Sequence, residues 1–217
     1  MSLRLLGLLG GTFDPIHNGH LQMALELHRR LGLDELRLLP NRLPPHKPGA
    51  HADSEQRLAM VKLACAPHPQ LSVDDRELKR QQPSYTVDTL EQLRQEHPDD
   101  SLCFIIGMDS LASFNQWYLP ERILELANLV VCRRHGIAAP ELGAFNRVVS
   151  TEPHILRDNP CGQILLTDLE PEGLSSTAIR AALASGQLPR DHIPAAVADY
   201  IDHNGLYDHG VAPSGRV

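Results

Sequence analysis

Apolar and polar positions along this chain fall into blocks that predict its elements. Leu3 to Leu9 is an apolar run broken only by Arg4 and Gly7, which predicts a buried strand, and Gly10 and Gly11 follow it as a tight turn. A helix is expected to begin near Gly19, because Leu21, Ala24, Leu25 and Leu31 recur at helical spacing and Gly32 stands where a C-terminal cap belongs. Leu36 to Pro40 predicts the next strand. After the proline-rich loop NRLPPHKPG, Asp53 and Gln56 form a capping box for a helix through Leu58, Val61, Leu63 and Ala64. Leu71 to Val73 then suggests a short third strand. A helix from about Thr86 to Glu96, a strand at Leu102 to Ile106, short helices around Ser110 and Glu121, and a strand at Leu129 to Cys132 continue the pattern. Residues 135 to 163 show no clear periodicity and read as a mixed connecting region to which no chemistry attaches. Ile164 to Thr167 reads as another strand, LSSTAIRAALASG opens a helix that stops at Gly186, and a last helix runs from Pro194 to His203.

Strand and helix alternate five times, so the fold class is α/β: a Rossmann-like, doubly wound, mainly parallel sheet with helices on both faces and a small C-terminal helical portion from about residue 174. Residues 1–207 are expected to form one domain and 208–217 a flexible tail. Ligand sites in such folds lie at the carboxyl ends of the strands.

Composition narrows the setting. With 42% hydrophobic and 22% charged residues in 217, the chain suits a compact globular body. No apolar run approaches the roughly 20 residues needed to span a bilayer, and MSLRLLGLLGG lacks the basic start and small-residue cleavage site of a signal peptide. The four cysteines, Cys65, Cys103, Cys132 and Cys161, lie at least 29 positions apart, which removes CxxC redox and paired zinc spacings and reads as buried thiols in a reducing cytoplasm. A net charge of -7 argues against a broad nucleic-acid-binding face. Neither a membrane nor a nucleic-acid partner is expected, and the oligomeric state is not legible.

The chemistry gathers at GGTFDPIHNGH, Gly10 to His20. Glycines after a strand and a helix start beyond them make a place for an anion, since free N–H groups at a helix N-terminus carry roughly half a positive charge. The stretch lacks the GK[ST] ending of a P-loop and the GxGxxG of a dinucleotide fold. A histidine in isolation is more often a satisfied core or surface residue, and His28, His51, His68, His97, His154, His192, His203 and His209 are read that way. His17 and His20, three residues apart beside a double glycine, are read instead as donors to phosphate oxygens.

GGTFDPIHNGH resembles the TFDPxHxGH signature of the nucleotidyltransferase superfamily marked by an HxGH motif. Histidine at its eighth position, His17, is similar to bacterial nicotinate mononucleotide adenylyltransferases, whereas phosphopantetheine adenylyltransferases usually carry Thr there. LPNRLPPHK at Leu39 to Lys47, SYTVDTL at Ser84 to Leu90, IIGMDSLASFNQW at Ile105 to Trp117 and SSTAIR at Ser175 to Arg180 extend the resemblance over some 180 residues. It implies transfer of an adenylyl group from ATP to nicotinate mononucleotide, giving nicotinate adenine dinucleotide and pyrophosphate, with Mg2+ arriving with ATP and no metal held by the protein itself. By the same resemblance His17, His20 and Arg180 are catalytic. Gly10, Gly11, Thr12, Phe13, Gly107, Asp109, Ser176 and Thr177 join them around ATP, with Asp109 on the ribose. Asn41, Lys47, Tyr85, Thr86, Trp117, Tyr118 and Arg134 take the mononucleotide, Trp117 stacking on the pyridine. The N–H groups of Thr86 and Tyr118 would read a carboxylate. An amide would need an added acceptor, for which only Asp88 is near.

Two other readings are weighed beside this one: a relative acting on another phosphate, such as phosphopantetheine or nicotinamide mononucleotide, and a silent nucleotide-binding regulator. Of the first, the phosphopantetheine form is disfavoured by YTVDTL and the Phe114 to Trp117 pairing. The second gives little reason to keep His17, His20 and Arg180 together.

Overall fold

Strand β1 (Leu5–Gly11) sends its side chains alternately to the two faces of a sheet, Leu5 and Leu9 to one buried cluster and Leu6 and Leu8 to the other. The computed structural model describes residues 2–42, 51–81, 84–133, 140–169 and 175–207. On one side of β1 lie β2 (Glu35–Pro40) and then β3 (Leu71–Val73). On the other lie β4 (Ser101–Gly107), β5 (Asn128–Cys132), β7 (Ile164–Thr167) and the two-residue edge strand β6 (Val149–Ser150). The pairings of this sheet are all parallel.

Helices cover both faces, as a parallel sheet requires. Helices α1 (Asn18–Leu31), α2 (Ser54–Cys65), α6 (Ile155–Asp158), α7 (Ser176–Ala184) and α8 (Ala195–His203) bury Leu27, Met60, Leu156, Ile179 and Val197 in the cluster that holds Leu5 and Leu9. Helices α3 (Thr86–Glu96), α4 (Met108–Ala112) and α5 (Pro120–Leu126) bury Leu90, Leu111 and Leu124 against the opposite face. Both expected helix signals are present in atomic form. Gly32 ends α1 in the left-handed region at φ 60. Asp53 Oδ1 accepts the Gln56 N–H at 2.8 Å while Gln56 Oε1 accepts the Asp53 N–H at 2.9 Å.

Three expectations are corrected. The first strand is displaced by two residues, so Gly10 and Gly11 are not a turn but rungs of the ladder opposite Leu39 and Pro40, because β2 extends far enough to pair with them. The described part of 135–163 contains a 3-10 segment, Gly143–Val148, together with β6 and α6, pieces too short for a period to register in sequence. Of the four cysteines only Cys65, Cys103 and Cys132 are buried, burial pushing their thiols up to about 12, 12 and 11, whereas Cys161 is half-buried.

The strand order turns back at β1 and β4: the chain builds outward through β2 and β3, returns, and builds the other way through β5. Such a reversal opens a crevice beyond the carboxyl ends of the two strands. Gly10 and Gly11 stand at the end of β1, and Gly107 at the end of β4.

Candidate active site at the carboxyl ends of β1 and β4

The loop that joins β1 to α1 has a fixed shape. Phe13 takes a left-handed φ of 49, costly for a residue with a side chain, and its ring, 2% exposed, folds back over Gly11. A Cβ on Gly11 would lie 2.8 Å from Phe13 Cζ, so this glycine makes room for the ring. Gly10 is exposed and a Cβ there would meet only ordinary contacts. Phe13 meets the edge of His20 at 5.1 Å. His17, the N-cap residue of α1, stacks on His20 with ring centroids 3.7 Å apart.

The Nδ1 atoms of both histidines are buried without a hydrogen-bond partner. Burial first, and then the neighbouring imidazoles His192 and His17, lower His17 to about 4 and His20 to about 3. Both rings are therefore neutral at pH 7, and each has one buried polar atom whose need an arriving phosphate oxygen would meet.

Side chains from elsewhere hold the carbonyls of this loop. Arg57, 1% exposed, donates from Nη1 to Thr12 O at 2.7 Å and to Asn41 O at 3.0 Å. Arg180 donates to Asp14 O at 2.7 Å, and the Ser176 hydroxyl to Pro15 O at 3.0 Å. The SSTAIR segment thus meets GGTFDPIHNGH directly, and its Ser175 caps α7, accepting the Ala178 N–H. Thr177 is exposed and accepts from Arg180 at 3.4 Å. The carboxylate of Asp14 accepts from the His51 and Ala52 N–H groups and from the Tyr207 hydroxyl.

Sequence reasoning assigned no role to Asp14, Arg57 or Tyr207. Arg57 did carry a signal, since it lies at helical spacing on the face of Met60, Val61 and Ala64 and is buried with them. His192, read as an ordinary core or surface residue, accepts the Asn18 N–H at its carbonyl and disfavours charge on His17.

Across the crevice, a Cβ on Gly107 would find nothing within 4 Å, so the end of β4 is open to a ligand. Asp109 is exposed and unpaired among the described residues. Asn41 donates its N–H to Gly11 O at 2.9 Å and keeps its Oδ1 buried without a partner. Trp117 lies against Phe114 at 5.6 Å and Phe104 at 6.4 Å, and the Phe104 ring is also the nearest neighbour of a Cβ built on Gly10. Phe104 thereby stands between the two halves of the site. The rings of Tyr85 and Tyr118 pair at 4.8 Å and are 49% and 55% exposed. Among the described residues the N–H groups of Thr86 and Tyr118 have no acceptor. Asp88 is turned back onto the Tyr85 N–H at 3.4 Å. Lys47 and Arg134 lie outside the described residues. No group of three or more His, Cys, Asp or Glu side chains able to hold a metal occurs among the described residues.

The cytidylyltransferase-like family model matches residues 8–182. A probable nicotinate-nucleotide adenylyltransferase of Aeromonas salmonicida is 50% identical over 208 residues, covering 93% of this chain and 96% of the relative. One from Shewanella sediminis is 42% identical over 207 residues, covering 93% and 97%. Among solved structures, the nicotinic acid mononucleotide adenylyltransferase of Plasmodium falciparum complexed with NaAD superposes with a TM-score of 0.71 at 18% identity, covering 95% of this chain and 98% of that one, a likeness of fold. The resemblance carried by the HxGH stretch and the four later segments thus extends over nearly the whole chain, which belongs to the cytidylyltransferase-like family and, within it, to the nicotinate-nucleotide adenylyltransferases.

Proposed function

We propose that this chain joins ATP and nicotinate mononucleotide to give nicotinate adenine dinucleotide and pyrophosphate, a step of NAD biosynthesis. Close relatives of almost the same length bear the name of that activity. The observation in the site that carries the reading is the stacked His17 and His20 pair, whose two Nδ1 atoms are buried without a partner beside the loop that follows β1.

A phosphate oxygen of the mononucleotide attacks the α phosphorus of ATP. One P–O bond forms, the bond to the β-phosphate oxygen breaks, and pyrophosphate leaves with the electron pair. The protein need not form a covalent intermediate; it holds the two substrates in line and stabilises developing charge. His17 and His20 donate to the triphosphate, Arg180 adds a fixed positive charge beside the same loop, and Thr12, Gly10, Ser176 and Thr177 line it. Gly107 leaves room for the nucleoside, whose ribose hydroxyls Asp109 accepts. Mg2+ would enter bound to ATP and neutralise charge on its phosphates.

On the other side, Trp117 offers its ring to the pyridine, and Asn41, with Lys47 and Arg134 from outside the described residues, serves the mononucleotide phosphate. The open N–H groups of Thr86 and Tyr118 suit a carboxylate. Asp88 is already engaged by Tyr85, which favours the acid over the amide. Among the described residues no helix is long and apolar enough to cross a membrane. The free cysteines and the charge of -7 support small-molecule chemistry in the cytoplasm. Pyrophosphate release from ATP, measured with nicotinate mononucleotide, nicotinamide mononucleotide and phosphopantetheine in parallel, should be fastest with the first; no release with it discards the reading.

A further inference from the structure

Asp14 receives donors from two distant parts of the chain. Its Oδ2 accepts the His51 N–H at 2.9 Å, and its Oδ1 accepts both the Ala52 N–H at 3.1 Å and the Tyr207 hydroxyl at 2.8 Å. Asp14 is 4% exposed and Tyr207 6%, so these bonds are made out of contact with bulk water, where they are strong and where loss of a partner is felt. The Tyr207 ring belongs to the same buried cluster as Leu5 and Leu9. A phenylalanine would serve that packing equally; a hydroxyl in an apolar cluster is costly unless bonded, and this one is bonded to the charged side chain of the nucleotide loop.

The loop is held at three carbonyls, Thr12 by Arg57, Asp14 by Arg180 and Pro15 by Ser176. These three bonds fix its backbone from one set of directions, and the Asp14 carboxylate fixes it from another. His17 follows three residues later.

We infer that Tyr207 is a positioning residue for the reaction: through Asp14 its hydroxyl sets the Thr12-to-His17 loop and ties it to the His51–Ala52 segment that leads into α2. The inference rests on the adenylyl-transfer reading. Tyr207 touches no substrate; its effect reaches the chemistry by way of where the two imidazoles stand, and a shift of about 1 Å at a reacting group can cost on the order of 100-fold in rate.

Tyr207→Phe removes one oxygen and leaves Asp14 its two backbone donors. It should lower kcat about tenfold, part of the loss a full 1 Å misplacement would bring, with the KM for either substrate changing by less than about threefold. In the ligand-free protein it should also move the imidazole 15N signals of His17 and His20. Tyr200→Phe, on α8 and packed against the same cluster, should change neither kcat nor those signals. Wild-type kcat in Tyr207→Phe overturns the inference whatever its melting temperature, and so does a reduced kcat with unmoved histidine signals. Should Tyr207→Phe fail to fold, Asp14→Asn carries the same test in the same terms. If the wild type releases no pyrophosphate from nicotinate mononucleotide, the functional reading fails, while the histidine signals still decide whether Tyr207 sets the loop.

Discussion

His17 and His20 are kept uncharged by the same burial that stacks them, and that neutrality shapes what they do when a nucleotide arrives. A triphosphate beside them would favour the protonated form, so nucleotide binding at acidic pH should take protons from solution, read as a dependence of the binding enthalpy on buffer ionisation heat. If His20 donates to the triphosphate as proposed, His20→Ala should depress turnover at least about 100-fold, with circular dichroism and melting unchanged. Turnover near the wild-type level would remove His20 from the chemistry. The pair was legible because its partners are sequence neighbours: two glycines, two histidines and a helix start fall within Gly10 to His20. Asp14 stands in the same stretch, yet its function was not legible, since its partners are 37, 38 and 193 positions away. The packing role of Gly11 was not legible for a related reason, because only the folded loop shows the Phe13 ring occupying its space.

Helix α2 shows how an element positions chemistry it does not itself perform. Its capping box fixes where the helix starts, just after the two N–H groups that Asp14 accepts, and its first turn carries Arg57 to the carbonyls of Thr12 and Asn41. Asp53→Ala should cost about 1 kcal/mol of stability by loss of the cap, read as a lower urea midpoint at constant m-value. A midpoint equal to the wild type would mean that the cap is idle. Asp53 and Gln56 could be read in sequence because a cap is a local device. The strand and helix order was legible for the same reason, hydrophobic period being a property of ten or so consecutive residues. Strand β6, two residues long, has no period to read, and its pairing with β7 exists only once the sheet is assembled.

At the scale of the whole molecule, the buried histidines link stability to pH. In the unfolded chain both imidazoles take a proton near 6.5, whereas in the folded protein they resist until about 4 and 3. Between those values the unfolded state binds more protons, so stability is fully present above about pH 6.5 and falls as the pH drops through that window. Urea midpoints at pH 7.5 and 5.0 should differ more in the wild type than in His20→Asn, whose side chain has no proton to gain; equal differences would show that His20 is not charged on unfolding. The Tyr207 contact with Asp14 bears on a different clock. Its two residues are separated by 193 positions, and at a synthesis rate of about 5 to 20 residues per second the tyrosine is made on the order of 10 to 40 seconds after the aspartate it meets. A nascent chain therefore carries its nucleotide loop long before that loop is finished, and ribosome-bound chains stalled before residue 207 would display the HxGH stretch without its last support.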